Sequence, residues 1–236
     1  CENAAIIGNG FQTIKMYDEN TSLHSVNVAV MATMFGMSLG YDPRKLNNLG
    51  VGGLLHDIGK SRVPIEIIGK SGKLDEEEIL EVRKHPQHGW DILDKDVLIP
   101  ATVKAIALQH HENWDGSGYP RGIREYEVYE LAAIVHICDV FDALISKRTY
   151  KDSFSFTDSI NYMKSQSGKM FSPYFLKYFF RNVPIFHTGT DVRLSNGEKA
   201  IIVSNNSGDM TRPVVRLYKD MSEINLCYEK GIEIVS

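Results

Sequence analysis

The feature that most constrains this chain is a change of period near Pro184. Before it, apolar residues recur at helical spacing; after it come short runs rich in β-branched residues and broken by turn signals. Residues 127–147 carry Leu131, Ile134, Val135, Cys138, Phe141 and Ile145 at that spacing, so one face of a helix is core. Asp42-Pro43 reads as an N-cap followed by proline at the first helical position, opening a helix that runs to about His56. Leu74-Asp75-Glu76-Glu77-Glu78 places acids in a first turn, where they complement the helix dipole. Pro86 interrupts the pattern right after His85, and Ser172-Pro173 opens a further helix over 174–181. Downstream, 191–195, 200–204, 213–218, 224–228 and 232–235 read as strands, with Asn196-Gly197 a two-residue hairpin signal. The expected architecture is mainly α: a helical body over 1–184 and a small β appendage of four or five strands over 185–236.

Composition narrows the function. The chain has 236 residues, 43% hydrophobic and 24% charged, enough for a sizeable buried core. With 26 Lys and Arg against 30 Asp and Glu, the net charge of −4 argues against binding polymeric nucleic acid, which needs a basic face. It leaves open a small phosphate ligand held by a few local cations. Cys1, Cys138 and Cys227 stand at no metal-like spacing and form no disulfide framework, so a reducing cytoplasm is the default compartment. No apolar run approaches the roughly 18 residues of a membrane span. The chain opens on Cys1 rather than Met, which leaves room for an upstream sensor domain, and a homodimer is compatible with everything so far.

Eight histidines are present, and any one alone reads as well as a core or surface residue. Context singles some out. His56-Asp57 closes an apolar helix containing Leu54 and Leu55, and a buried His beside a buried Asp needs a neutralising partner such as a divalent cation. In His110-His111-Glu112, neighbouring imidazoles point about 100° apart on a helix, so they reach one ion most easily at a fraying end. The turn-rich run from Asn113 to Pro120 supplies that end. Asp139 and Asp142 are three apart and share a helical face beside core residues. For Asp142, a direct ligand and an acid bonded to another group's N–H both stand. Lys60 and Arg62 follow the His-Asp pair, while Lys147, Arg148 and Lys151 follow the Asp139 helix. Beside a metal centre such cations neutralise phosphate oxygens.

Four ordered motifs then stand in the chain: HDIGK at 56–60, a His-Pro-x-x-Gly at 85–89, HHENWDGSGYP at 110–120 and DVFDALISKRTY at 139–150. Together they resemble the HD-GYP subgroup of the HD-domain phosphohydrolases, over about residues 15–182. The resemblance implies an HD-domain helical bundle that hydrolyses cyclic di-GMP to 5′-pGpG, and sometimes onward to GMP. It implies that His24, His56, Asp57 and Asp139 hold one metal, and that Asp57 bridges to a second held by His85, His110 and His111. Lys60 would face the scissile phosphate, giving Asp57 and Lys60 the catalytic roles. Asp142, Arg148 and Lys151 would contact the nucleotide, and Gly118, Tyr119 and Pro120 would form the loop that names the subgroup. His88, His136 and His187 match no ligand position, though His136 falls near the face of Asp139 as an outer partner. Two ions bridged by a carboxylate hold a hydroxide at neutral pH and bind phosphate oxygens. Five imidazoles and two carboxylates suit iron first and manganese second.

Cyclic GMP-AMP presents the same guanylyl phosphodiester and remains a possible substrate. Two other readings compete: a nucleotide receptor without turnover, and a different HD phosphohydrolase acting on nucleoside mono- or triphosphates. Relatives with three ions place a Glu four residues before the first ligand His. Here that position is Asn20, with Asp18 and Glu19 beside it, so two metals are expected.

Overall fold

A computed structural model describes residues 19–70, 72–146 and 156–235. Its contacts group the chain into two compact units, Cys1–Asp142 with Gly168–Ser172, and Ala143–Ser167 with Pro173–Ser236.

The first unit contains α1 (Glu19–Ser38), α2 (Pro43–Leu55), a 3-10 turn (Ile58–Arg62), α3 (Ile65–Ile68), α4 (Glu76–Val82), α5 (His85–Leu93), α6 (Ala101–Gln109) and most of α7 (Glu130–Ser146). The start signals act as expected. Asp42 Oδ1 accepts from the backbone N–H of Arg44 and Lys45, with Pro43 in the first turn of α2. Asp75 and Glu78 form a reciprocal capping box that satisfies two otherwise orphaned N–H groups of α4. Pro86 differs from its reading as an interruption: it lies in the first turn of α5, where a proline costs no hydrogen bond.

Leu55, Ile58, Ile92, Leu93, Val103 and Ala107 form a core between α2, the 3-10 turn, α5 and α6, with Val51 and Ile99 packed against it. Helix α7 is buried more widely than one face: Leu131, Ala132, Ile134, Val135, Ile137 and Cys138 are all inaccessible. Polar side chains on such a helix must be satisfied inside the protein.

The second unit contains α8 (Phe156–Ser165), α9 (Pro173–Asn182) and one antiparallel sheet in the order β1-β2-β3-β4. Its strands are β1 (Asp191–Arg193), β2 (Lys199–Ser204), β3 (Val214–Leu217) and β4 (Glu223–Asn225). Asn196 and Gly197 make the turn between β1 and β2, and Gly197 takes a φ of 87° that favours glycine. Ala200, Ile202, Val215 and Leu217 bury one face of the sheet. The run 232–235 contributes a single bridge, Leu194 to Ile234, rather than a fifth strand.

The compact units do not divide where the period changes. Helix α9 buries Leu176, Phe179 and Phe180, and the Phe180 and Arg181 carbonyls accept from Met210 and Gly208, so it groups with the sheet. Periodicity records the backbone form of a segment; grouping depends on which apolar faces meet.

Candidate metal centre

Four segment ends converge on one site. Helix α2 closes on His56, and Asp57 begins the 3-10 turn that follows. A Cβ on Gly59 would stand 1.9 Å from the His85 carbonyl oxygen and 2.4 Å from the Gly89 nitrogen. Only glycine admits that approach, which brings Asp57 beside the first residue of α5. Helix α6 ends at His110, which caps it, and His111 follows past the end, as two neighbouring imidazoles require to share an ion. His24 comes from α1, and Asp139 from α7.

The side chains form two adjoining groups, each with ligand atoms within 4.8 Å of one another: Asp57, His85, His110 and His111, and His24, His56 and Asp139. All seven residues expected as ligands are therefore brought together. His56, His85 and His110 are fully buried and Asp57 is 2% exposed.

Hydrogen bonds decide which nitrogens point inward. The Nδ1 atoms of His56, His85 and His110 lie 2.7, 2.7 and 2.9 Å from the carbonyl oxygens of Gly53, Val82 and Ala107. A carbonyl accepts only, so each Nδ1 carries a proton, and Nε2 of each ring is the atom turned into the site. His85 Nε2 and His110 Nε2 then stand 3.2 Å apart, two lone pairs that repel without a cation or proton between them. Asp57 Oδ1 lies 3.3 Å from His85 Nε2 and 3.7 Å from His110 Nε2. His56 Nε2 and Asp57 Oδ1 are buried and meet no well-formed hydrogen bond among the described residues. Imidazole nitrogens with carboxylate oxygens, partly orphaned and short of positive charge, fit a divalent transition ion.

The electrostatics agree. Burial pushes His110 down to about 4, and burial together with His110 pushes His111 well down, so both stay neutral lone-pair donors. Burial opposes ionisation of Asp57, but the Lys60 ammonium and His56 outweigh it and hold the carboxyl well below its usual range. Burial likewise opposes charge on His24, yet hydrogen bonds to Asp139 and Asp142 raise it to about 10. The carboxylates thus draw positive charge inward, as protons when no ion is there.

Lys60 Nζ lies 2.6 Å from Asp57 Oδ2, and the Lys60 side chain is 30% exposed, so it reaches from the cluster toward solvent. Gly118 folds the loop back so closely that a Cβ would meet the Asn113 nitrogen at 2.2 Å. Tyr119 then donates its N–H to the His111 carbonyl and stacks on the His111 ring, with centroids 4.8 Å apart and planes 25° apart. Pro120 follows across a cis peptide bond. Arg148 and Lys151 lie outside the described residues, and His88 and His187 join neither group.

Asp142 lies inside the protein. Expected among the nucleotide contacts, it is 2% exposed, with Oδ2 2.7 Å from His24 Nδ1 and Oδ1 accepting from Asn27 Nδ2 at 3.0 Å. Its carboxylate is engaged by two side chains of α1.

Residues to which sequence reasoning gave no role are Asn27, Glu112 and Arg83. The Arg83 guanidinium lies 5.3 Å from the Tyr119 ring centroid and faces no acid among the described residues. Its position two residues before His85 was the available signal.

A family model described as HD domain matches residues 11–174. A cyclic di-GMP phosphodiesterase of Pseudomonas aeruginosa is 35% identical, covering 87% of this chain and 49% of its own length. The 3′3′-cGAMP-specific phosphodiesterase 2 of Vibrio cholerae is 32% identical, covering 71% of this chain and 32% of its own. Among solved structures, an HDG"Y"P protein from Bdellovibrio bacteriovorus is 28% identical with a TM-score of 0.56, over 67% of this chain and 50% of that one. The chain spans half or less of the length of these relatives. No helix among the described residues is long and apolar enough to cross a membrane. On its motifs, its clustered histidines and aspartates and these matches, the chain belongs to the HD-domain family of metal-binding phosphohydrolases, in its HD-GYP subgroup.

Proposed function

We propose that this chain is a phosphodiesterase that hydrolyses cyclic di-GMP to 5′-pGpG, and on to GMP where the linear product rebinds. The observation that carries this is the facing pair of Nε2 lone pairs on His85 and His110, set between two carboxylate-bearing groups. His24, His56, Asp57 and Asp139 would hold one divalent ion, and His85, His110, His111 and Asp57 a second. The nitrogen-rich donor set favours iron, then manganese. When bound, such ions supply a strong nucleophile at neutral pH and neutralise charge developing on phosphate oxygens.

The chain's own residues do the rest. Asp57 presents one oxygen to each group, Oδ2 toward His56 and Oδ1 toward His85, which suits a bridging role. Lys60 is tethered to Asp57 yet part-exposed, so its ammonium meets a phosphate entering the opening. Arg148 and Lys151 contact the nucleotide in the same reading. Tyr119 and Gly118 hold His111 in its orientation, and Asp142 with Asn27 holds His24. Cyclic GMP-AMP shares the guanylyl phosphodiester and is a second substrate to test, given a relative named for it. The free Cys138 and Cys227 suit a reducing cytoplasm.

The test is anaerobic turnover of cyclic di-GMP and cyclic GMP-AMP with added iron(II) or manganese. Metal-dependent appearance of the linear dinucleotide is expected. Binding without turnover would indicate a receptor, and hydrolysis confined to nucleoside mono- or triphosphates would indicate a different phosphohydrolase.

A further inference from the structure

Behind the metal centre, Glu112, Trp114, Val128, Ala133, His136, Met170, Phe171 and Ser172 line a small cavity with about 10 Å³ of room for water centres. That is about the space of one water. Two of the residues that line it each carry a buried polar atom without a hydrogen-bond partner, Glu112 Oε2 and His136 Nε2. Glu112 is 2% exposed and His136 3%. Leaving one such group unsatisfied costs on the order of 1–3 kcal/mol, so two in the same small cavity indicate a missing shared partner.

The chemistry of the two atoms defines that partner. His136 Nδ1 faces the carbonyl oxygen of His110, so it carries the ring proton and leaves Nε2 as an acceptor. Glu112 Oε1 accepts from the Arg121 N–H at 2.8 Å, and Oε2 is an acceptor too. Two acceptors cannot satisfy each other; both need a donor with two hydrogens. We propose that this cavity is a binding site for a single ordered water, which donates one O–H to His136 Nε2 and the other to Glu112 Oε2. The water joins three parts: the loop held through Arg121, helix α7 through His136, and the carbonyl of His110. His136 and Glu112 are positioning residues on this account, outside the metal groups.

A high-resolution crystal structure of the whole chain tests it. Density within roughly 2.7–3.2 Å of both atoms is expected; a dry cavity, or direct contact between the two side chains, overturns the site. Glu112→Gln separates water from a cation. A water persists there, because the amide N–H donates to it and one hydrogen bond reverses. A cation loses its charge partner, so a vanished peak overturns the proposal. His136→Phe removes the acceptor and should empty the site; an unchanged peak overturns the bridge. Nitrogen-15 spectra of the histidines give a readout that packing alone does not move: His136 is expected neutral with its proton on Nδ1, and a proton on Nε2 overturns the assignment.

Discussion

His24 Nδ1 lies 2.7 Å from Asp142 Oδ2, across 118 residues of sequence, while His24 Nε2 lies 3.0 Å from Asp139 Oδ1. One imidazole is thus clasped by two carboxylates from successive turns of α7. With an ion in the site, His24 would donate its Nδ1–H to Asp142 and keep Nε2 to ligate, the arrangement that fixes tautomer and ring orientation together.

Asp142→Asn is therefore expected to lower metal affinity by about 10–100-fold, because the carboxylate that makes His24 a better ligand becomes a neutral amide. The KM for cyclic di-GMP, measured at saturating metal, should hold. A raised KM with unchanged metal affinity would restore Asp142 to the nucleotide contacts.

Gly59→Ala should separate the HDIGK turn from α5. A Cβ there meets backbone at 1.9 and 2.4 Å, which no side-chain rotation relieves. A loss of about 1–3 kcal/mol in chemical denaturation is expected, from the usual cost of overpacking. Metal content should fall with it, since Asp57 and His85 move apart.

Arg83→Ala should raise KM for a cyclic dinucleotide roughly tenfold, the size expected for one lost charge-assisted hydrogen bond to phosphate. The guanidinium lies over Tyr119 beside the site and has no acid of its own among the described residues. Metal content and kcat should hold; Arg83→Lys, which keeps charge but loses the fork, should fall between.

Chelation should lower the melting temperature, and iron(II) or manganese should restore it. The ion relieves the facing lone pairs of His85 and His110, and an ion at a hundred times its Kd stabilises by about 2.7 kcal/mol. In His85→Ala, which deletes one of the two, the added ion should give a smaller rise.

Much of this was legible in the chain. Period and cap residues set out α2, α4, α7 and α9 and the strands β1 to β4, because Asp42, Asp75, Pro43 and Gly197 act on their own backbone within a few residues. The side chains that cluster were marked as well, since His56, Asp57, His110, His111 and Asp139 sit in short ordered motifs.

Other features depended on long-range packing. The close approach of the 3-10 turn at Gly59 to the start of α5 joins segments that α3 and α4 separate in the chain. The role of Asp142 follows from α1 lying against its face of α7, a contact no local spacing encodes. Glu112 and His136 show the same limit: each is an ordinary polar residue in sequence, and only the fold buries both in one cavity with nothing to bond to. The sequence by itself determined which residues can ligate and which segments coil; the tertiary structure decided which side chains are desolvated together, because burial is a property of neighbours brought from elsewhere in the chain.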